Sequence, residues 1–244
     1  MVRRDPRAAL IEVGLQNDLA HPQGFFHRRG LLRLAEAERT GVVEHVERLA
    51  TSVRRAEWPV VHAVWQLRPD HLDAAYARPW WRLGLREAGA LVKGSWGAEL
   101  LEGVTQAADD FVVPLVSHSA FQFTHLDRIL RNCGVQTCLV VGGSASGGVE
   151  DTARQAAAYG YRVLLVADTI YPESVDNLRR LANRAETVST TDQALALLEA
   201  DVSVLDADAP VLETDVPVLD ADVRVPDADM PVQDSDVRVG AAAS

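Results

Sequence analysis

Apolar runs of seven to nine residues recur along the first 200 positions, and between them Leu, Val and Ala return every three or four residues among charged neighbours. The runs "AALIEVGL", "PVVHAVWQL", "DFVVPLV", "TCLVVGGS" and "YRVLLVAD" predict five strands. Residues 31–57 carry the helical spacing over a long amphipathic stretch. "THLDRILRNCG" predicts a helix with Thr124 as its cap and Gly134 as its stop, and "GVEDTARQAAAYG" another. A helix near 174–184, a short strand "ETVST" and a helix "TDQALALLEA" follow. Residues 68–100, with Trp80, Trp81 and Trp96, show neither period and predict an irregular excursion. Strands alternating with helices imply an α/β fold of three α/β/α layers around a mostly parallel sheet. In such folds ligands sit at the carboxyl ends of the strands. Gly14, Leu115 and the loop 142–148 fall at those ends.

The pattern changes at the C-terminus. Residues 200–241 divide into six seven-residue units, from ADVSVLD to SDVRVGA, rich in Asp and Pro with valines at a period of two. Prolines and like charges oppose both a coiled coil and a β ladder, so 201–244 reads as an acidic extended or flexible tail after a domain spanning 1–200. Calcium-binding repeats carry regular glycines, whereas among these units only the last has one, Gly240.

Charge changes the picture once it is located. The chain has a formal net charge of −11, but residues 201–244 hold eleven acids and two arginines, so the body is nearly neutral. It lacks the basic footprint of a nucleic-acid binder. No apolar run is long enough to span a membrane, and "MVRRDPRAAL" lacks the apolar core of a secretory signal. Two cysteines, Cys133 and Cys138, fit no metal spacing and predict a reduced, cytoplasmic protein. No metal or other cofactor is expected.

The first strand poses a chemical question. Glu12 interrupts an otherwise apolar run, and Gly14 leaves a gap two residues later. By strand alternation the two face the same side, about 6–7 Å apart. Glu12 is either an acid facing a deepened pocket, where burial raises its pKa into the working range of a general acid or base, or a core carboxylate satisfied by a neighbour, and a paired carboxylate is compatible with both.

"ALIEVGLQNDL", "VKGSWGAEL" and the stretch from "DFVVPLVSHSAF" through "GGSASGGVEDTARQAAAYGYRVLLVAD" together resemble the isochorismatase-like hydrolases, also called the cysteine hydrolase superfamily. The resemblance covers roughly residues 7–200. It places His62 on the strand beside Glu12 and implies a homo-oligomer acting on a small molecule, without nucleic-acid or membrane partners. It also implies a catalytic Asp at the end of the first strand, a Lys before "S-A-F" and a Cys opening the helix after the glycine loop. In this chain those positions fall on Gly14, Leu115 and Gly148. A thiolate attacks, a carboxylate handles its proton and an ammonium supports the charge, and neither Gly nor Leu supplies any of these. Where the nicotinamidase branch places metal-binding Asp and His, this chain has Gln66 and Arg68.

The resemblance leaves a pocket. Candidate catalytic residues are Glu12, His62 and His118; candidate ligand-lining residues are Gly14, Leu115, Trp96, Phe121, Ser144, Ala145, Gly147 and Gly148. Backbone N–H groups near Gly147 are suited to an anion or a carbonyl oxygen, and the family's cis peptide would fall near Ser144 and Ala145. Asn17 and Asp18 read as loop-fixing residues, and Glu150 and Asp151 as N-terminal helix charges. The leading expectation is a repurposed enzyme of a bacterial biosynthetic pathway doing proton-transfer chemistry: cyclisation, elimination or isomerisation. A non-catalytic pseudoenzyme that binds a metabolite or partner protein, and a divergent hydrolase using substitute residues, are the alternatives. A buried, unpaired Glu12 would favour the first, and a site filled by Leu115 the second.

Overall fold

A six-stranded, all-parallel sheet in the order β3-β2-β1-β4-β5-β6 organises the computed structural model. The structure describes residues 8–31, 36–74, 79–171, 185 and 187–199. The strands are β1 (Ala8–Val13), β2 (Val60–Trp65), β3 (Phe111–Leu115), β4 (Thr137–Gly143), β5 (Arg162–Tyr171) and β6 (Thr187–Ser189). The helices are α1 (Asn17–Ala20), α2 (Phe25–Arg28), α3 (Glu36–Arg55), α4 (Pro79–Ala88), α5 (Leu126–Asn132), α6 (Glu150–Ala158) and α7 (Thr191–Glu199). The chain divides into two units, Met1–Leu212 and Glu213–Ser244, and every described residue belongs to the first. The tail 201–244 and the helix expected near 174–184 lie outside the described residues.

β1, β2 and β4 are buried along their whole length, which is why they read as continuous apolar runs rather than as alternating ones. Each face of the sheet has its own apolar layer. Ala8 and Leu10 of β1 pack with Val46, Leu49, Ala50 and Val53 of α3. Ile11 and Val13 pack on the other side with Leu115, Ala145, Val149 and Ala153. The side-chain period of two therefore sends Glu12 toward α3.

The excursion 68–100 is more ordered than its sequence predicts, because α4 forms within it and buries Leu85 completely. β5 also runs on beyond "YRVLLVAD" to Tyr171. α5 starts one residue later than expected, with His125 at the cap, yet the Thr124 hydroxyl still accepts the Leu126 N–H at 3.2 Å. Gly134 ends that helix as predicted, at φ +72°. No described helix is long and apolar enough to cross a membrane.

Candidate functional site

β1 and β4 are neighbours in space, and the chain leaves them for opposite halves of the sheet, so the switch point at which folds of this class bind ligands in a crevice lies beyond their carboxyl ends. Three glycines meet there. Gly14 follows β1 at φ +63°, a left-handed backbone that ends the extended strand immediately after Val13. The alternation that pairs residues 12 and 14 thus stops between them. A Cβ on Gly14 would lie 2.9 Å from Leu19 Cδ1 and 3.1 Å from the Gly143 carbonyl oxygen. A Cβ on Gly148 would lie 2.7 Å from that same oxygen and 2.8 Å from Val13 Cγ1. A cis peptide joins Gly143 to Ser144, adjoining the position the resemblance implies. Residues 145–149 form one wide helical turn leading into α6, with the Gly147 and Val149 N–H groups both donating to the Ser144 carbonyl at 3.1 Å.

The other candidate lining residues are largely part of the core. Leu115 is 1% exposed and packs in the apolar layer with Trp65, Val113 and Phe121. Phe121 is buried against the rings of Tyr159 and Tyr161, and Ala145 is fully buried. Ser144 and Gly147 keep partial exposure. Trp96 is exposed, with the His21 ring edge-on at 5.1 Å. The side chains of Trp80 and Trp81 lie outside the described residues.

The three candidate catalytic residues do not converge. Glu12 and His62 are both 1% exposed, with Glu12 Oε2 2.9 Å from His62 Nδ1, on the α3 side of the sheet. Leu115, Val13 and Val149 belong to the opposite layer. Glu12 is thus a paired carboxylate facing away from the layer that holds Leu115. Burial raises its pKa, with His62 offsetting only part of that cost. His118 stands elsewhere. It is half exposed, with Nδ1 3.9 Å from Asp151 Oδ2 and its ring edge-on to Trp65 at 6.2 Å. Asp151 lies in the first turn of α6 and also accepts from Arg154 at 2.8 Å.

"Q-N-D" holds the crevice loops. Gln16 donates to the carbonyls of Trp65 at 2.8 Å and Ala98 at 2.7 Å, and its oxygen accepts the Trp65 N–H at 2.7 Å. Asn17 donates to the Trp96 carbonyl at 2.9 Å. Asp18, buried, accepts the N–H groups of Phe25 at 3.0 Å and Leu91 at 2.8 Å. The loop-fixing role expected of Asn17 and Asp18 is what the structure shows.

Three participants escape sequence reasoning. Tyr171, fully buried at the end of β5, donates its hydroxyl to the Gly14 carbonyl, and its ring fills the space where a Cβ on Gly143 would go. Asp110 lies 3.0 Å from His62 Nε2, and Arg54 donates to Asp110 at 2.7 Å. These contacts span 48 to 157 positions of chain, so no local spacing announces them.

The α/β architecture agrees with what comparison with known proteins finds. Residues 8–193 match the isochorismatase domain family. The chain belongs to that family. A ureidoacrylate amidohydrolase, RutB, of Methylorubrum extorquens is 29% identical over 209 residues, covering 80% of this chain and 82% of that protein. An N-carbamoylsarcosine amidase of an Arthrobacter species is 26% identical over 200 residues, covering 80% of this chain and 72% of that one. Among solved structures, an isochorismatase family protein from Desulfovibrio vulgaris superposes with TM-score 0.66 at 25% identity, over 81% of this chain and 99% of that one. An N-carbamoylsarcosine amidase from Thermoplasma acidophilum gives TM-score 0.60 at 27% identity, over 76% and 97%. The isochorismatase-like α/β fold expected from the sequence is therefore established.

Proposed function

We propose that this isochorismatase-family chain binds a small molecule in the crevice between β1 and β4 without turning it over by cysteine-dependent hydrolysis. The observation that carries this reading is the crowding at Gly148. A side chain at the position where the resemblance places the nucleophile would meet the Gly143 oxygen and Val13 at less than van der Waals distance. Leu115, where the resemblance places the ammonium, is sealed into the core and cannot stabilise a charge. Neither described cysteine substitutes. Cys138 is buried in β4 with its thiol pKa pushed up by burial, far from the reactive thiolate range, and Cys133 caps the end of α5.

Geometry favours this binding role over proton-transfer chemistry by Glu12, because that carboxylate is engaged by His62 beneath α3. One arrangement supports a second reading. His118 follows Leu115 by three positions, Asp151 follows Gly148 by three, and they approach within 3.9 Å. An exposed imidazole beside a carboxylate can activate water, which would make the chain a divergent hydrolase of carbamoyl or ureido compounds like its amidohydrolase relatives.

Purified full-length protein should be incubated with ureido, N-carbamoyl and simple carboxamide compounds while ammonia release and melting temperature are followed. Binding without turnover raises the melting temperature and releases no ammonia. Release at rates on the order of 1–10³ per second would overturn the binding reading. If that release fell by about 10²–10⁴-fold in His118→Gln, the water-activation reading would replace it.

A further inference from the structure

Beneath α3, four ionisable side chains from four parts of the fold form one unbroken chain. Glu12 comes from β1, His62 from the facing position of β2, Asp110 from the residue before β3, and Arg54 from the last turn of α3. The links are Glu12 Oε2 to His62 Nδ1 at 2.9 Å, His62 Nε2 to Asp110 Oδ2 at 3.0 Å, and Arg54 Nη2 to Asp110 Oδ2 at 2.7 Å with Arg54 Nε to Oδ1 at 3.2 Å. Asp110 also accepts the Ala107 N–H at 2.7 Å, and Arg54 donates to the Thr105 carbonyl at 2.6 Å. Glu47, two turns before Arg54 on α3, accepts the Thr105 N–H at 2.7 Å and adds a second negative charge within reach of Glu12. Side chains of Glu12, His62 and Asp110 are 1%, 1% and 4% exposed.

The arrangement constrains where protons can be. Each ring nitrogen of His62 faces a carboxylate oxygen, whereas a neutral imidazole has a single N–H to offer. One proton must therefore sit in the Glu12–His62 contact: on the ring, giving an imidazolium between two carboxylates, or on Glu12, donating to a neutral ring whose other N–H serves Asp110. Removing it leaves a buried carboxylate opposed to a lone pair or to nothing, and neither oxygen of Glu12 has an aligned hydrogen bond among the described residues, so its 2.9 Å contact with His62 Nδ1 is held by charge. Nothing in the proposed binding site needs this chain, which lies on the other side of the sheet from Leu115.

We propose that Glu12, His62, Asp110 and Arg54 form a proton-dependent latch that clamps the C-terminal end of α3 onto β1 and β2 while the Glu12–His62 proton is held, and loosens that clamp when the proton leaves. The charged groups acting on the pair are those just named: Asp110 beside His62, and Arg54 and Glu47 of α3 beside Glu12. Burial alone would lower the pKa of His62, but the hydrogen bond and charge of Glu12, then those of Asp110, outweigh it and the net direction is upward. A folded-state pKa above the unfolded value means the stabilisation is complete below about pH 6.5, the unfolded histidine value, and is lost as pH rises through the folded one.

The test is a pH series on the full chain from 6 to 10, reading melting temperature, the imidazole resonances of His62 by NMR, and amide exchange of α3 from Val46 to Val53 corrected for intrinsic rates. Wild type should lose melting temperature as the pH rises, with a midpoint coinciding with deprotonation of His62 and with loss of α3 protection. Glu12→Gln keeps a hydrogen-bond donor for Nδ1 and removes the charge, so it should shift the His62 midpoint down and abolish the alkaline decline. Should that variant fail to fold, the wild-type coincidence of His62 titration with α3 exchange decides alone. A flat wild-type profile, an equal decline in Glu12→Gln, or α3 protection indifferent to the His62 titration would each overturn the latch.

Discussion

Glu12 shows how one residue's meaning depends on what lies across the sheet. Its presence in a core strand is visible in the sequence, and so is His62 as its nearest partner, but the carboxylate's direction is set by the face that α3 covers. Gly14 is legible as a gap and not as a turn: its positive φ ends the alternation that would have aligned it with Glu12. At the same scale Gly148 yields a sharp expectation. Gly148→Ala adds one methyl where Gly143 and Val13 already stand, and backbone on one side leaves little to yield. Overpacking of this kind costs about 1–3 kcal/mol, so the variant should melt about 2–4 °C lower per kcal/mol than wild type. An unchanged melting temperature would show that the turn from 145 to 149 relaxes freely, and would weaken the case that the crevice cannot host a nucleophile.

Elements were legible where local chemistry decides them. α5 is the clearest: apolar residues at helical spacing, Thr124 at its start and Gly134 at its end, with the Val135 N–H returning to the Leu130 carbonyl at 2.9 Å to close the last turn. Open space surrounds the Cβ direction of Gly134, so only backbone strain opposes a side chain there. Gly134→Ala should therefore destabilise by about 1–2 kcal/mol, the cost of a left-handed conformation with a Cβ, as read by chemical denaturation. A loss below the error of that measurement would mean the helix end can unwind into another cap. α4 was missed although Pro79 opens it at the first helical position, where proline is favoured, because it is a single short helix with Gly84 inside it.

For the whole molecule, the acidity resides in the repeat tail, while the family match ends at residue 193 and the last described helix at Glu199. Removing residues 201–244 should leave the α/β domain folded, with a melting temperature within about 2 °C of the full chain, less than the 2–4 °C that 1 kcal/mol produces at this size. A larger drop, or a change in sedimentation beyond the lost mass, would show that the repeats pack as structure or join copies of the chain.

The succession of strands along the chain, the helices α3, α5, α6 and α7 between and after them, and the family itself were legible in the sequence alone, because period, turn residues and cap residues act over a few positions and repeat many times. The loop-fixing role of Asn17 and Asp18 was legible too, but not their partners Trp96 and Leu91, which lie 79 and 73 positions further along the chain. The tertiary structure alone decided which titratable residues share a site. Glu12, His62, Asp110 and Arg54 come together, while His118 is left with Asp151 at an exposed edge. Such partnerships depend on the crossover that brings residues dozens of positions apart within 3 Å, and a single chain carries no periodic signal of that distance.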